Sequence, residues 1–297
     1  MAGFRTIVIN KRCKLESRLG YLVIRTIEES RVYIQEIENL IIESTAVSLT
    51  SALMSDLISA GVNVIFCDSV HLPHSMCLPI SFHYNSTRKI NIQFEWNAEL
   101  KKTCWQKIVK EKIKQQAFVL NKVNKKDAEA TLLQYRERVL PGDLNNIEAI
   151  AAKCYFAALF GDYFSRTKSN NIENSALNYG YSILLACFSR EIVACGYLTE
   201  LGIWHRGQEN SYNLACDLME PFRPLIDLHV YDMPIAEENN FRHYMVNVLN
   251  RKVLIDNELQ SLVYAIRLYT RKVLKYLNSE TSCIYDIQFF REEIIDM

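Results

Sequence analysis

This chain of 297 residues has no net charge, no long apolar run and no glycine-rich phosphate loop. Its 34 lysines and arginines are matched by 34 aspartates and glutamates. That balance argues against a protein held to nucleic acid by bulk charge, while leaving room for a local basic patch. No stretch approaches the roughly 18 uninterrupted apolar residues of a membrane span. The opening MAGFRTIVIN carries a charge at its fifth residue and no apolar signal core, so the expectation is a soluble, cytoplasmic protein. Nine cysteines lie without paired spacing, which reads as reduced core thiols rather than a disulfide framework. Neither G-x-G-x-x-G nor G-x-x-x-x-G-K-[ST] occurs, so nucleotide binding by a glycine loop has no support. A G-x-S-x-G nucleophile turn and an H-E-x-x-H zinc helix are missing too, as is the adjacent His-Asp pair of metal phosphohydrolases. There is no internal repeat and no low-complexity run.

What is present divides the chain. Apolar residues make up 49%, enough for a sizeable core, and the length suits two domains or one large one. FRTIVIN (4–10), YLVIRT (21–26), RVYIQEI (31–37) and NLIIES (39–44) are short β-branched runs that read as antiparallel strands of a small sheet or sandwich. Leu49, Leu53, Leu57 and Ile58 share one face of a helix ending at Gly61, and VNVIFCD (62–68) follows as a buried strand. Pro73 and Pro79, then Asn85-Ser86-Thr87, suggest a linker with a short strand at Ile90–Phe94. From Asn97, a suitable N-cap, the helical period dominates to about residue 278. The expected fold is α+β: a β-rich, sandwich-like N-terminal domain over 1–78 with one helix, a linker over 79–96, and a larger all-α catalytic domain over 97–297.

Three groups of residues invite chemistry. Cys67, His71, His74 and Cys77 lie within eleven residues, but their spacing fits no common zinc finger and Cys67 ends a buried strand, so a structural role is expected. Lys101, Lys102, Lys107, Lys110, Lys112 and Lys114 crowd one helical stretch, opposed only by Glu111, and Arg267, Arg271, Lys272 and Lys275 recur near the C-terminus. Either run is a solvated face or a surface that tracks phosphates. The third group is GIWHRGQENSYNLACDLMEPFRP (202–224). Asp217 and Glu220 share a helix face, and Pro221 should disfavour helical backbone at Glu220 and end or kink the helix there. With His205 upstream, they make an incomplete set for a hard divalent ion, which takes carboxylates and, for Mn²⁺, imidazole. Spacing alone leaves a metal site and an ordinary charged helix both open.

Four ordered blocks resemble a known family. ACDLMEPFRPLID (215–227), preceded by GIWH (202–205), is similar to the signature of the CRISPR-associated adaptation integrase, Cas protein one. EAIAAKCYFAALFG (148–161) and NSALNYGYSILL (174–185) resemble its successive helical motifs. The segment IIESTAVSLTSALMSDLISAGVNVIFCD resembles the strand–helix–strand of its β domain. MAGFRTIVIN and EPFRP look most like the branch of type II systems. The resemblance implies a metal triad of Glu148, His205 and Glu220, with Asp217 in a supporting or DNA-facing role. Lys153 stands where relatives carry arginine, and Glu220 where many carry aspartate. It further implies Mg²⁺ or Mn²⁺ as cofactor and an endonuclease/integrase in which a fragment's 3′-hydroxyl attacks a phosphodiester of the CRISPR repeat. Implied partners are double-stranded DNA, a second copy paired through the β domain, a dimer of Cas protein two in a heterohexamer, and type II adaptation proteins including the effector nuclease. The rival readings are a non-catalytic DNA-binding scaffold and a repair nuclease for branched DNA.

Overall fold

The computed structural model describes residues 3–79, 85–167, 171–282 and 287–289. The chain falls into two compact units, Met1–Ile80 and Ser81–Met297. The first unit contains β1 (Arg5–Ile9), β2 (Cys13–Arg18), β3 (Tyr21–Arg25), β4 (Glu29–Tyr33), β5 (Ile37–Ile42), β6 (Val47–Leu49), α1 (Ser51–Ser59), β7 (Asn63–Cys67) and β8 (Pro73–Cys77). The second contains α2 (Ser86–Phe94), α3 (Ala98–Lys122), α4 (Lys126–Arg138), α5 (Ile147–Phe160), α6 (Ile172–Ala194), α7 (Asn213–Met219), α8 (Arg223–Tyr231) and α9 (Phe241–Val246). It ends with β9 (Lys252–Ile255), β10 (Glu258–Ser261), α10 (Leu262–Leu277) and β11 (Ile287–Phe289). A β-rich unit therefore precedes a helical one, which carries in addition the small sheet β10-β9-β11.

The first unit corrects one expectation. Its four-stranded sheet runs β1-β5-β7-β8, and β1, β5 and β7 are parallel; only β8 turns back. The reason lies in β5, every residue of which is buried. A strand covered on both faces belongs to a parallel sheet, where apolar runs need not alternate. At one rung the Asn63 amide donates to Asn39 Oδ1 at 3.1 Å, and the Asn39 amide donates to Thr6 Oγ1 at 3.3 Å. The second sheet, β4-β3-β2-β6, contains the expected antiparallel hairpins. Leu15 and Leu22 from this sheet, Leu40 and Val64 from the other and Leu53 and Leu57 of α1 share one buried cluster. The run RVYIQEI is not one strand, because β4 ends at Tyr33 and a 3-10 turn over Ile34–Glu36 follows.

In the second unit, the strand expected at Ile90–Phe94 is instead the end of α2. The alternation of Ile90, Ile92 and Phe94 imitates a strand, but Gln93 decides the packing. Its side chain is buried, donating to the carbonyls of Leu198 and Leu201 and accepting from Leu198 N–H. Residues 80–84 of the expected linker lie outside the described residues. Asn97 caps α3 as its sequence predicts, its Oδ1 accepting from Glu99 and Leu100 N–H. Helix α6 passes so near α8 and α9 that a Cβ on Gly180 would stand 2.6 Å from Ile226 Cγ2 and 2.7 Å from Met245 Cε. Only glycine admits that approach. No helix among the described residues is long and apolar enough to cross a membrane.

Candidate metal centre

Helix α3 runs beneath the site, packed against α5, α7 and the turn that follows α7. Lys112 lies on its apolar stripe, four residues past Ile108 and three past Val109, and is buried. At the start of α5 the Asp143 carboxylate accepts the otherwise unpaired N–H groups of Ile147 and Glu148, at 2.9 and 3.0 Å. That cap fixes where Glu148 leaves the helix. Glu220 opens the 3-10 turn Glu220–Phe222 between α7 and α8. Contrary to the expectation from Pro221, its backbone stays right-handed helical, at φ −52° and ψ −45°. The α-helix ends there because Pro221 and Pro224 have no N–H to donate.

Glu148 and Glu220 meet at one cation. The Lys112 ammonium is 2.5 Å from Glu148 Oε1 and 2.5 Å from Glu220 Oε2. Arg223 adds a second positive charge, its Nε 2.8 Å from Glu220 Oε1. Burial alone would raise the Glu220 carboxyl, but Arg223 and Lys112 outweigh it and hold the group at about 2. Both glutamates raise the Lys112 ammonium against its own burial. Glu220 is thus ionised across the working pH range.

His205 is held by Asp217. The His205 ring donates from Nδ1 to Asp217 Oδ1 at 2.6 Å, which leaves the lone pair on Nε2 when the ring is neutral. Asp217 is fully buried and also accepts the backbone N–H groups of Ile203, Trp204 and His205. Its carboxylate therefore faces the 203–205 backbone and the His205 ring. The hydrogen bond to Asp217 raises the His205 imidazole, outweighing partial burial, and the charges of Asp217, Glu220 and Glu148 act in the same direction. Gly202 makes the loop possible: a Cβ there would lie 2.4 Å from the His205 carbonyl oxygen and 2.8 Å from Asp217 Oδ2. His205 rests edge-on against Trp105, which stacks on Trp204. Beside it opens a cleft of about 440 Å³ whose lining includes Gln93, Lys101, Arg206, Gln208 and Asn213.

Of the four residues singled out in the sequence, the structure draws Glu148 and Glu220 together and joins His205 to Asp217. Among the described residues no three His, Cys, Asp or Glu side chains converge in ligating geometry; Lys112 bridges Glu148 and Glu220, while His205 is held by Asp217. The donors nevertheless suit a hard divalent ion. Two carboxylates already close on a cation, and an imidazole beside them has its tautomer fixed by a carboxylate, as metal-binding histidines commonly do. Cys67, His71, His74 and Cys77 form no such set. The hairpin register pairs Cys77 with Val64, three positions from Cys67, or about 10 Å along the ladder. His71 accordingly turns to the Glu43 backbone carbonyl.

Asp143 and Arg223 escaped the sequence reading, and Lys112 was grouped there with the lysine run rather than with the two acids. A lysine on an apolar stripe and an aspartate before a helix were available signals for Lys112 and Asp143. The lysine run is not one basic face. Lys102 pairs with Glu99, Lys114 with Glu111, and Lys107 sits over the Tyr276 ring.

Residues 6–265 match the family model described as CRISPR associated protein Cas1. The chain is 34% identical over 270 residues to the CRISPR-associated endonuclease Cas1 of Neisseria meningitidis serogroup C (strain 8013), covering 89% of this chain and 88% of that protein. Among solved structures it resembles a casposase bound to integration product, with TM-score 0.78 and 21% identity over 94% of this chain and 92% of that one. It also resembles a Cas6-RT-Cas1–Cas2 complex, with TM-score 0.70 and 13% identity over 97% of this chain and 36% of that one.

Proposed function

The chain belongs to the Cas1 family of CRISPR-associated proteins, and on that premise we propose that it is the DNA endonuclease and integrase of spacer acquisition, working through a divalent-metal site of Glu148, His205 and Glu220. The reaction is attack by the 3′-hydroxyl of a short DNA fragment on a phosphodiester of the CRISPR repeat. The observation that carries this reading is the meeting of Glu148 and Glu220, from separate helical elements, on the single ammonium of Lys112.

Glu148 and Glu220 would hold the ion with negative charge and His205 with the Nε2 lone pair that its bond to Asp217 leaves available. When bound, Mg²⁺ or Mn²⁺ supplies charge stabilisation of the transferring phosphoryl group and activation of the attacking hydroxyl. The chain's own residues orient the parts. Asp143 fixes Glu148 at the mouth of α5, Asp217 fixes His205, and Arg223 fixes Glu220. The cleft beside His205, with Lys101 and Arg206 in its wall, offers DNA a path to the site. Such positioning is most of what a protein contributes to phosphoryl transfer. The partners proposed are double-stranded DNA, a second copy of the chain and a Cas2 dimer, together in a heterohexamer, with other type II adaptation proteins joining it.

The test is joining of short duplex fragments into a repeat-bearing plasmid with Mn²⁺ or Mg²⁺ and the small partner protein, comparing wild type with His205→Ala. Joining by wild type alone is the expected result, and equal joining by both removes His205 from the mechanism. DNA binding without joining by either, with all partners present, favours a non-catalytic scaffold. Cleavage of branched DNA regardless of the repeat favours a repair nuclease.

A further inference from the structure

We infer that Lys112 is an exchangeable phosphate ligand, whose ammonium holds Glu148 and Glu220 together until a divalent ion takes that place and then turns to a DNA phosphate beside the ion. The inference rests on the metal-centre reading above.

Position comes first. Lys112 Nζ stands where an ion shared by both carboxylates must stand, 2.5 Å from an oxygen of each. Its contact with Glu220 Oε2 is as short as its contact with Glu148, so neither acid holds it alone. The ammonium and the ion cannot both occupy this point.

Charge gives the direction of the exchange. Glu148 and Glu220 are balanced by Lys112 and Arg223, so the four contacting groups sum to neutrality. A divalent ion between the carboxylates adds two positive charges and repels the ammonium at short range. The excess then favours an anion, and the anion of strand transfer is the DNA phosphodiester.

The lysine also has somewhere to go. Lys112 lines a cavity of about 140 Å³ together with Gln116, Phe156, Arg166, Tyr181 and Arg223. A four-carbon stem with three rotatable donors can swing within such a space. Glu220 and Asp227 lie in the same lining, and the three cationic side chains outnumber these two acids, a balance that still favours a phosphate. Arg166 is anchored there by Asn174 and Asn178, and Arg223 lies 4.5 Å over the Tyr181 ring.

The probes are Mn²⁺ alone, followed calorimetrically on the full chain without DNA, and a duplex with 3′-dideoxy ends that cannot be joined. Lys112→Met removes the ammonium; Lys112→Gln removes the charge but can still donate to the carboxylates, so it serves if the first variant does not fold. Removing the competing ammonium should tighten Mn²⁺ binding about tenfold, an ordinary size for coupling between linked sites. In Mn²⁺ the wild type should show a steeper fall of duplex affinity with salt than the variant, by about one unit of log–log slope, the signature of one phosphate contact. In EDTA the two slopes should agree, because Lys112 is then held by the glutamates. Folded variants with unchanged or weaker Mn²⁺ affinity, or slopes that agree in Mn²⁺ as well, overturn the exchange. Glu148→Gln and Glu220→Gln separate the two ideas. If they lose Mn²⁺ while Lys112→Gln binds as wild type does, only the role of Lys112 falls; if both still bind Mn²⁺, the metal centre falls with it.

Discussion

Asp217 shows how a fully buried residue can set the orientation of a partly exposed one. Its carboxylate accepts three backbone N–H groups and the His205 ring, so its lone pairs are committed. Asp217→Asn keeps the size but offers one acceptor oxygen, freeing the ring to choose the wrong tautomer. Loss of such a partner typically costs about 10–100-fold in metal affinity or activity, and both Mn²⁺ titration and DNA joining should register it. Two further buried residues, Asp227 and His229 of α8, act on stability with opposite sign. Burial pushes Asp227 up to about 6 despite the hydrogen bond from Tyr181, so its protonated form favours the fold and that contribution is lost as pH rises from about 4 to 6. Burial pushes His229 down to about 4, so its neutral form favours the fold and that contribution is lost as pH falls from about 6.5 to 4. Each shift is worth about 3 kcal/mol. The wild-type melting temperature should therefore vary little between pH 6 and 4. Asp227→Asn should expose the histidine's acid loss and His229→Gln the aspartate's acid gain, and melting curves across that range check both. From the sequence, the proposed set of Glu148, His205 and Glu220 came only from the resemblance to a family, since spacing could not tell a ligand from an ordinary surface acid; the structure adds that Glu148 and Glu220 meet at Lys112. The true neighbours of Asp217 were not legible, because a carboxylate that folds back on its own loop has no period.

At the scale of elements, periodicity served helices better than strands. Helices α1, α3 and α10 stand where apolar spacing and their capping residues Thr50, Asn97 and Ser261 put them. Strand direction is not written in an apolar run, and the burial of β5 on both faces emerges only once its neighbours are in place. Helix α2 read as a strand because its buried face rests on a glutamine, which a hydrophobic pattern ignores. The crossing of α6 over α8 and α9 is fixed by the space at Gly180. Gly180→Ala must push against Ile226, whose branched side chain yields less than the flexible Met245 tip. Overpacking of this kind costs about 1–3 kcal/mol, and chemical denaturation should reveal a loss in that range. The Glu220 that closes α7 lies in the adjoining turn, so DNA joining should fall along with stability.

Across the whole molecule, equal numbers of cationic and anionic groups give a sequence pI near 7.0. The purified chain should be least soluble near neutral pH at low salt, where self-repulsion vanishes, and turbidity against pH would show a minimum of solubility there. Affinity for DNA must then come from a few placed cations such as those around Glu220, which the overall composition conceals. The rung Thr6–Asn39–Asn63 carries another consequence, for how the first unit finds its form. The three strands it ties come from separate stretches of chain, and in the observed register Asn39 faces Thr6 on one side and Asn63 on the other. A slip would leave two buried amides facing hydrocarbon, and each abandoned group costs about 1–3 kcal/mol. The rung works as a key cut into the sheet, which lets the misaligned assemblies form only to come apart again.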